Sequence, residues 1–406
     1  MPRADGEGRT SRPVLDPLKE FLQAEAAGGL VLAVAAVAAL AWANSPLAGS
    51  YEDLWATRLT IGVSPAAVSE DLRHWVNDGL MAIFFFVIGL EIKRELVIGE
   101  LRDPRAALLP VLAACGGVVL PALVFLSITA GGPAVDGWGI PIATDIAFAL
   151  GVLALLGDRV PVGAKLFLLT IAIVDDIIAI TVIAIAYSDS ISPGWLASAA
   201  AGLIGAIGVR AVGVNRIWPY VPLALAVWFA TLQSGVHATI AGVVLGLLTP
   251  AGPVGGRDVL RVLEHRLHPV SAFLIIPLFA LANAGVALDR DALSTSGAAR
   301  LAGAVAIGLV IGKVFGIAGV TLLALRLRVG VLPEGVTTRY VWVLAALAGI
   351  GFTVSLFIAD LAYEDVALRD TAKIGILAGS VSAGLLGSAI LFPGRHPRES
   401  PTQSGG

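Results

Sequence analysis

The sequence predicts an all-α membrane protein with about 12 transmembrane helices, and three observations support that prediction. Of the 406 residues, 57% are hydrophobic and only 14% are charged, whereas a soluble domain carries about 25% charged residues. Apolar stretches of about 20 residues, the length that crosses a bilayer, recur along the chain. Most charged residues fall between these stretches. Lipid is therefore the solvent for most of this chain.

The helices are placed by taking Pro, Gly and charge clusters as the boundaries of each apolar stretch. The predicted spans lie near residues 21–43, 75–92, 106–129, 138–156, 162–187, 194–213, 217–234, 236–249, 268–287, 300–326, 339–363 and 371–393. The loops are short, so the sequence predicts one transmembrane domain over residues 18–393. Polar tails at residues 1–17 and 394–406, rich in Gly, Pro and Ser, are predicted to be disordered.

Basic residues orient the spans, because cytoplasmic loops of membrane proteins retain Lys and Arg. With both termini cytoplasmic, few of the 27 basic residues fall on the other side: Arg58, Arg73, Arg290, Arg300, Arg369 and Lys373. Lys313 alone remains inside a span. This bias predicts an even number of spans with both termini in the cytoplasm.

Two regions allow more than one interpretation. Ala41-Trp42-Ala43 resembles a signal-peptidase site, but the apolar run over 26–43 is longer than most signal sequences, so a retained first helix is predicted. The connection over 46–74 contains partly strand-like residues at Thr57–Ser64. A small β-hairpin and an irregular loop both fit that segment.

Composition also excludes several kinds of partner. The net charge is −3 and no basic run is interleaved with aromatic residues, so no nucleic acid is expected to bind. Cys115 is the single cysteine, which excludes an internal disulfide and a zinc site built on cysteine pairs. No cofactor is predicted.

Four ionisable residues lie deep within predicted spans, namely Asp145, Asp175, Asp176 and Lys313. Such residues are costly in lipid and are functional candidates. Neighbouring residues of a helix point about 100° apart, so Asp175 and Asp176 face different directions. Lys313 could pair with one of them simply to fix helix packing. Three carboxylates exceed what one lysine neutralises, however, and surplus negative charge in a membrane favours binding of a cation or a proton.

Two predicted spans, the fourth and the eleventh, are interrupted. Gly139 and Pro141 precede Thr144-Asp145 in the fourth, and Gly349 and Gly351 interrupt the eleventh. Either break alone could be a packing kink. Together they are the middle members of two groups of three spans, 3–5 and 10–12. Corresponding spans of the two groups are seven spans apart, and because seven is odd, the two groups cross the membrane in opposite orientations. Paired interruptions in an inverted repeat indicate a binding site near the bilayer midplane of a secondary transporter.

Five motifs together give the chain a family resemblance from about residue 17 to 392. They are Trp75–Leu96, the octapeptide from Ala143 to Leu150, Asp175-Asp176, Ser234–Thr239 and Gly349–Thr353. In this order and spacing they resemble the NhaA-type Na⁺/H⁺ antiporters of the bacterial inner membrane, which are themselves among the transporters built from inverted repeats.

The resemblance implies roles for particular residues. Asp176 would bind Na⁺ (or Li⁺) and H⁺ alternately, while Asp175 would pair with Lys313, and Thr144 and Asp145 would stand where the broken helices cross. Exchange would be electrogenic. A pH-responsive cytoplasmic face is matched by five residues: Glu91, Glu95, Glu264, His265 and His268. The family forms homodimers through a hairpin after the first span, and this is the region least like the pattern. Arg261-Val262 also departs from it, since two basic residues would be expected there.

Other functions fit part of this pattern. The alternative kept open is a Na⁺-coupled solute symporter, which would need an organic solute to carry the cation flux. A cation channel would pass current without moving protons in return. An intramembrane aspartyl protease also uses two membrane carboxylates, but takes them from two helices, one in a Gly-x-Gly-Asp motif that is absent here. The Glu91–Glu95 pair could equally be an interfacial helix end, and the histidines could simply be solvated.

Overall fold

The computed structural model describes residues 15–62, 67–155, 160–188, 191–214, 218–254, 257–288 and 296–391. Its first helix begins at Leu15, inside the segment predicted as a disordered tail. Residues 1–14 and 392–406, which include most of both predicted tails, lie outside the described residues.

The described residues are mainly helical. The α-helices are α1 (Leu15–Ala43), α2 (Ala48–Trp55), α3 (Leu72–His74), α4 (Met81–Val97), α5 (Pro104–Thr129), α6 (Ile146–Leu155), α7 (Val162–Ala186), α8 (Pro193–Ala211), α9 (Tyr220–Leu232), α10 (Ala238–Leu248), α11 (Val259–Val270), α12 (Ile276–Asn283), α13 (Ser296–Ile307), α14 (Lys313–Arg326), α15 (Thr338–Leu347), α16 (Phe352–Ala362) and α17 (Val366–Leu391). The 3₁₀ helices cover Glu100–Arg102 and Val135–Ile142; π-helical turns cover Trp75–Leu80, Ser271–Ile275 and Gly308–Gly312.

Two short antiparallel hairpins join helices. Strand β1 (Arg58–Ile61) pairs with β2 (Val68–Asp71), with Arg58 opposite Asp71. The structure thus favours the hairpin over the irregular loop in the connection after the first helix. The second hairpin, β3 (Pro253–Val254) with β4 (Arg257–Asp258), precedes α11.

The membrane class predicted from composition is confirmed. Within the described residues, seven helices are long and apolar enough to cross a membrane, and nine if each of two bent helix pairs counts as one span. The predicted seventh and eighth spans correspond to α9 and α10, apolar helices of only 13 and 11 residues. The total of 12 spans stays a prediction.

Both predicted interruptions coincide with breaks in helical structure. The 3₁₀ helix Val135–Ile142, called here the 3₁₀ segment, is followed by three non-helical residues before α6 begins. Helix α15 ends at Leu347 and α16 begins at Phe352, with the two axes bent by 45°. The 3₁₀ segment packs against α16, so the two interrupted regions meet.

Glycine makes this close approach feasible. A Cβ atom on Gly351 would lie 2.9 Å from the carbonyl oxygen of Ala143, in the other break. A Cβ on Gly312 would lie 2.6 Å from Cα of Pro121 in α5. These separations are shorter than van der Waals contact, so a side chain at position 351 would collide with the other break, and one at position 312, next to Lys313, would collide with α5.

Candidate functional site

Asp145 is the link between the two breaks. Its amide donates to the carbonyl of Ile350 over 2.6 Å. Its carboxylate accepts from the Phe148 amide at 3.0 Å, which caps α6, and from the amide and hydroxyl of Thr353 at 3.0 and 2.7 Å, at the start of α16. One buried carboxylate therefore faces the N-terminal ends of two helices, where partial positive charge is concentrated.

Thr144, Asp175 and Lys313 form a second group beside this crossing. All three are buried. The Lys313 ammonium pairs with Oδ2 of Asp175 and donates to the Thr144 hydroxyl over 3.1 Å. That hydroxyl lies 2.6 Å from the same carboxylate oxygen and 2.8 Å from the carbonyl of Ala348. Oδ1 of Asp175 is buried and has no hydrogen-bond partner within the described part of the chain.

Asp176 differs from both neighbouring acids. It is only 5% exposed, yet no hydrogen bond or ion pair to its carboxylate is found among the described residues. It faces a cleft that also touches Thr144 and Asp145 and extends to Glu91 and His268. The full lining is Phe84, Val87, Ile88, Glu91, Thr144, Asp145, Ile146, Ala147, Asp176, His268, Ser271, Ala272, Ile276, Thr353 and Val354.

The charges of this site can be paired one by one. Two helix N-termini and a hydroxyl stabilise the Asp145 carboxylate, and Lys313 neutralises Asp175. Asp176 is left with no ion pair or hydrogen bond among the described residues, in an apolar setting where an isolated carboxylate is very costly. A proton or a bound cation would relieve that cost.

At the end of the cleft reached by Glu91, called here the cleft side, charged side chains form a cluster. Arg94 pairs closely with Glu264 and lies 3.1 Å from Oε1 of Glu95. His268 lies 4.0 Å from Glu91. These contacts bring together four of the five residues predicted for pH response. His265 is exposed and is not brought into the cluster.

The opposite end of the same helices, called here the packed side, is closed by side chains. Asn283 donates to Asn77 over 2.8 Å, and Asn77 donates to Asp360 over 3.3 Å. Asp360 also pairs with Lys373 at 2.8 Å and Arg369 at 3.7 Å. This polar network joins α12, the π-helical turn before α4, α16 and α17.

Three buried phenylalanines lie between this network and the cleft. The ring centroid of Phe357 is 5.3 Å from that of Phe85 and 6.3 Å from that of Phe279. Each phenylalanine stands in sequence between a polar residue of the packed side and a cleft-lining residue of its own chain segment. The route to Asp176 is therefore filled on the packed side.

Some of these residues were not singled out by the sequence. Asn77 stood in a motif without an assigned role, and Asp360 was not among the candidates. Asn283 carried a usable signal, because an amide within an apolar span is itself unusual. Thr353 ended a quoted motif, but its bond to Asp145 depends on a contact between residues 208 positions apart.

The chain also matches known proteins along most of its length. The profile of the family described as Na⁺/H⁺ antiporter 1 matches residues 19–391. A relative from Frankia alni, Na⁺/H⁺ antiporter NhaA 3, is 45% identical over 96% of this chain and 92% of its own length. NhaA 1 from Erythrobacter litoralis is 48% identical over 96% of both chains. NhaA from an Acidovorax species is 49% identical over 92% of this chain and 91% of its own.

Proposed function

We propose that this chain, which belongs to the Na⁺/H⁺ antiporter 1 family, exchanges Na⁺ or Li⁺ for H⁺ across the bacterial inner membrane. The observation that carries the proposal is Asp176, a buried carboxylate in a cleft that makes no ion pair or hydrogen bond among the described residues. The family is one of transporters, so the chain is not an enzyme, and the transported ions are its substrates.

Competition for Asp176 couples the two ions. A carboxylate that holds a proton has lost the charge that attracts Na⁺, and one that holds Na⁺ excludes the proton. Na⁺ prefers oxygen ligands, and three oxygens near the cleft could supply them: the Asp176 carboxylate, the unpaired Oδ1 of Asp175 and the Thr144 hydroxyl. A cation binding there draws Asp175 away from Lys313, which then releases a second proton. More than one proton per Na⁺ makes exchange electrogenic.

Alternating access follows from the crossing of the interrupted helices. The 3₁₀ segment, α6, α15 and α16, together with α7 and α14 packed around them, form a unit that we term the crossing unit. This unit rocks against α4, α10 and α12, exposing Asp176 first on the cleft side and then on the packed side. The inverted repeat of spans 3–5 and 10–12, within 12 spans in all, supplies the two related conformations.

The orientation of the molecule follows from its basic residues. Both termini and the cleft side face the cytoplasm, and the β1–β2 hairpin lies on the other side, where it contributes to a homodimer. The cluster of Arg94, Glu264 and Glu91 at the mouth of the cleft makes exchange responsive to cytoplasmic pH. Residues 18–393 act as one transporter domain.

The deciding experiment uses purified protein in sealed liposomes with a pH-sensitive dye inside. A pulse of Na⁺ or Li⁺ without any organic solute is expected to move protons in the opposite direction, whereas K⁺ is not. Asp176→Asn, which keeps the size of the side chain, is expected to reduce this signal to that of empty liposomes while still inserting. Adding valinomycin and K⁺ to compensate charge should accelerate wild-type exchange.

Three outcomes would contradict this proposal. Absence of Na⁺-driven proton movement at every pH would exclude antiport. A cation flux that appears only with an added solute would indicate a symporter instead. Exchange by Asp176→Asn at the wild-type rate would show that the carboxylate is not the binding group.

A further inference from the structure

The 3₁₀ segment is held from outside by the side chains of two other helices. Regular 3₁₀ structure longer than three or four residues is uncommon because its hydrogen bonds have poor geometry. Here it extends over eight residues, Val135–Ile142, within a membrane span. Backbone groups at such a depth need partners, because lipid offers none. The partners found are two tyrosines and a serine.

Tyr187 binds the middle of the segment. It follows the last residue of α7, the helix that carries Asp175 and Asp176, and is 8% exposed. Its hydroxyl donates to the carbonyl of Asp136 over 2.8 Å and accepts from the amide of Gly139 at 3.0 Å. One hydroxyl thus satisfies two backbone groups of the segment. The Tyr187 ring also stacks on Trp138, with centroids 6.4 Å apart.

Tyr363 binds the residue before the segment from the other side. It follows the last residue of α16, the helix that carries Thr353, and is 3% exposed. Its hydroxyl donates to the carbonyl of Ala134 over 2.7 Å. From within α16, Ser355 donates to the carbonyl of Ile140 over 2.7 Å. The region of the 3₁₀ segment is therefore also joined to that of α16 by hydrogen bonds that do not involve Asp145.

The glycines of the segment admit the two rings. A Cβ on Gly139 would lie 2.6 Å from the Tyr187 hydroxyl oxygen, and a Cβ on Gly137 would lie 2.6 Å from Cζ of Tyr363. Each tyrosine occupies space that any other residue at its glycine would fill. In the sequence Gly137-Trp138-Gly139, one glycine thus makes room for each tyrosine, and we call the two tyrosines the tyrosine bracket.

We propose that Tyr187 and Tyr363 are positioning residues for cation binding, which act by holding the 3₁₀ segment against α7 and α16. Only Ala143 separates this segment from Thr144 and Asp145, so its placement sets their distance from Asp175 and Thr353. The tyrosines touch neither Na⁺ nor a proton in transit; they act through Thr144 and Asp145. This inference rests on the exchange activity proposed above.

The test compares Tyr187→Phe, Tyr363→Phe and a matched control, Tyr220→Phe. Phenylalanine keeps each ring and removes only the hydroxyl. Tyr220 also donates to a backbone carbonyl, that of Val214 at 3.0 Å, but lies on α9 away from the segment. For Tyr187→Phe the apparent KM for Na⁺ should rise at least on the order of fivefold, the factor that one lost hydrogen bond typically produces, because the hydroxyl makes two such bonds; the maximal rate should be retained. Tyr363→Phe should have a smaller effect because one backbone group rather than two loses its partner.

A second measurement does not depend on transport. Amide hydrogen exchange across residues 134–145 should be faster in Tyr187→Phe than in wild type and unchanged in Tyr220→Phe. An unchanged KM in both bracket variants, or equal changes in all three variants, would overturn the positioning role while leaving the exchange activity intact. Failure of the wild type to exchange would instead contradict the proposed function, and the hydrogen-exchange result would still report whether the tyrosines hold the segment.

Discussion

The cleft side and the packed side of the site are built from the same helices in opposite ways. Glu91 and Asn77 stand 14 residues apart on one continuous helical stretch, about 21 Å at the usual helical rise. Around Glu91 the side chains are charged and border a cleft. Around Asn77 lie the amide of Asn283 and the Asp360 carboxylate, which is paired with Lys373, with a layer of phenylalanines beneath them.

This difference shows how one conformation gives Asp176 access to one side only. The contacts of the packed side join the crossing unit to its neighbours through Phe357 and Asp360 of α16. They consist of a few polar bonds and of rings tilted against one another. Separating these surfaces therefore breaks no ion pair or hydrogen bond of Asp175, Lys313 or Asp145. Asp175, Lys313 and Asp145 can keep their partners while the two sides exchange roles.

The largest effect is expected from a cross-link that prevents the packed side from opening. In a Cys115→Ser background, Asn77→Cys and Asp360→Cys place thiols on α16 and on the turn before α4, whose side chains are in contact. Linking them with a short bis-methanethiosulfonate, which forms a disulfide with each thiol, should reduce Na⁺/H⁺ exchange in liposomes to background, because α16 can no longer move away. A reducing agent should restore the activity measured in the same sample before linkage.

The matched control links residues that do not separate in the proposed motion. Asn77→Cys with Asn283→Cys uses the same first position and the same reagent, and these side chains are also in contact. Both lie on helices outside the crossing unit, so this link should leave exchange unchanged. Asp360→Cys removes the partner of Lys373, which could destabilise the protein. In that case the pair Phe85→Cys and Phe357→Cys serves as the test, because it also links α4 to α16. If both links inhibit exchange equally, or if neither link inhibits it, the assignment of moving and fixed helices is wrong.

Between the two sides, the Lys313–Asp175 pair is expected to matter for stability as well as transport. Lys313→Met leaves Asp175 buried without its cation, and breaking a buried pair in this way typically costs about 3–5 kcal/mol. Thermal unfolding of the protein in detergent at neutral pH should show the loss. The double variant Asp175→Asn with Lys313→Met buries no unpaired charge and should recover most of it. If Lys313→Met is as stable as the wild type, the Lys313–Asp175 pair does not contribute to the stability of the folded protein.

How much of this could be predicted from the sequence differs between the regions. Composition and span length fixed the membrane class, and isolated charges in apolar helices identified Asp145, Asp175, Asp176 and Lys313 without a structure. Breaks near Pro141 and Gly349 followed from backbone chemistry, since Pro and Gly disrupt helices wherever they occur. Each of these inferences depends only on neighbours in the chain.

The partners of those residues could not be predicted in the same way. Helical periodicity shows that two residues share a face, but not which helix lies opposite. His265 and His268 illustrate this: they are three positions apart, yet only His268 reaches Glu91. The double capping role of Asp145, the packed side and the tyrosine bracket all depend on contacts between distant segments. Helix length is also an incomplete guide to membrane spans, because α9 and α10 have only 13 and 11 residues, fewer than the about 20 that cross a bilayer.

The smallest expected effect is at the cleft side, in the pH dependence. In the proposed mechanism Asp176 must lose its proton before it binds the cation, so activity should rise from acid toward neutral pH. The ion pair of Glu264 with Arg94 should favour the active arrangement of the cleft mouth. Glu264→Gln cannot carry that charge at any pH. Its half-activation is expected to move to higher pH by about one unit, equivalent to about 1.4 kcal/mol of coupling. The measurement is the initial rate of Na⁺-driven dye response across a pH series. Glu100 is an acid close to the same cluster, and its side chain makes no ion pair with the residues that the structure describes. Glu100→Gln should therefore leave the pH profile unchanged. A shift of similar size in that variant would show that the effect comes from general surface charge rather than from the Arg94 cluster.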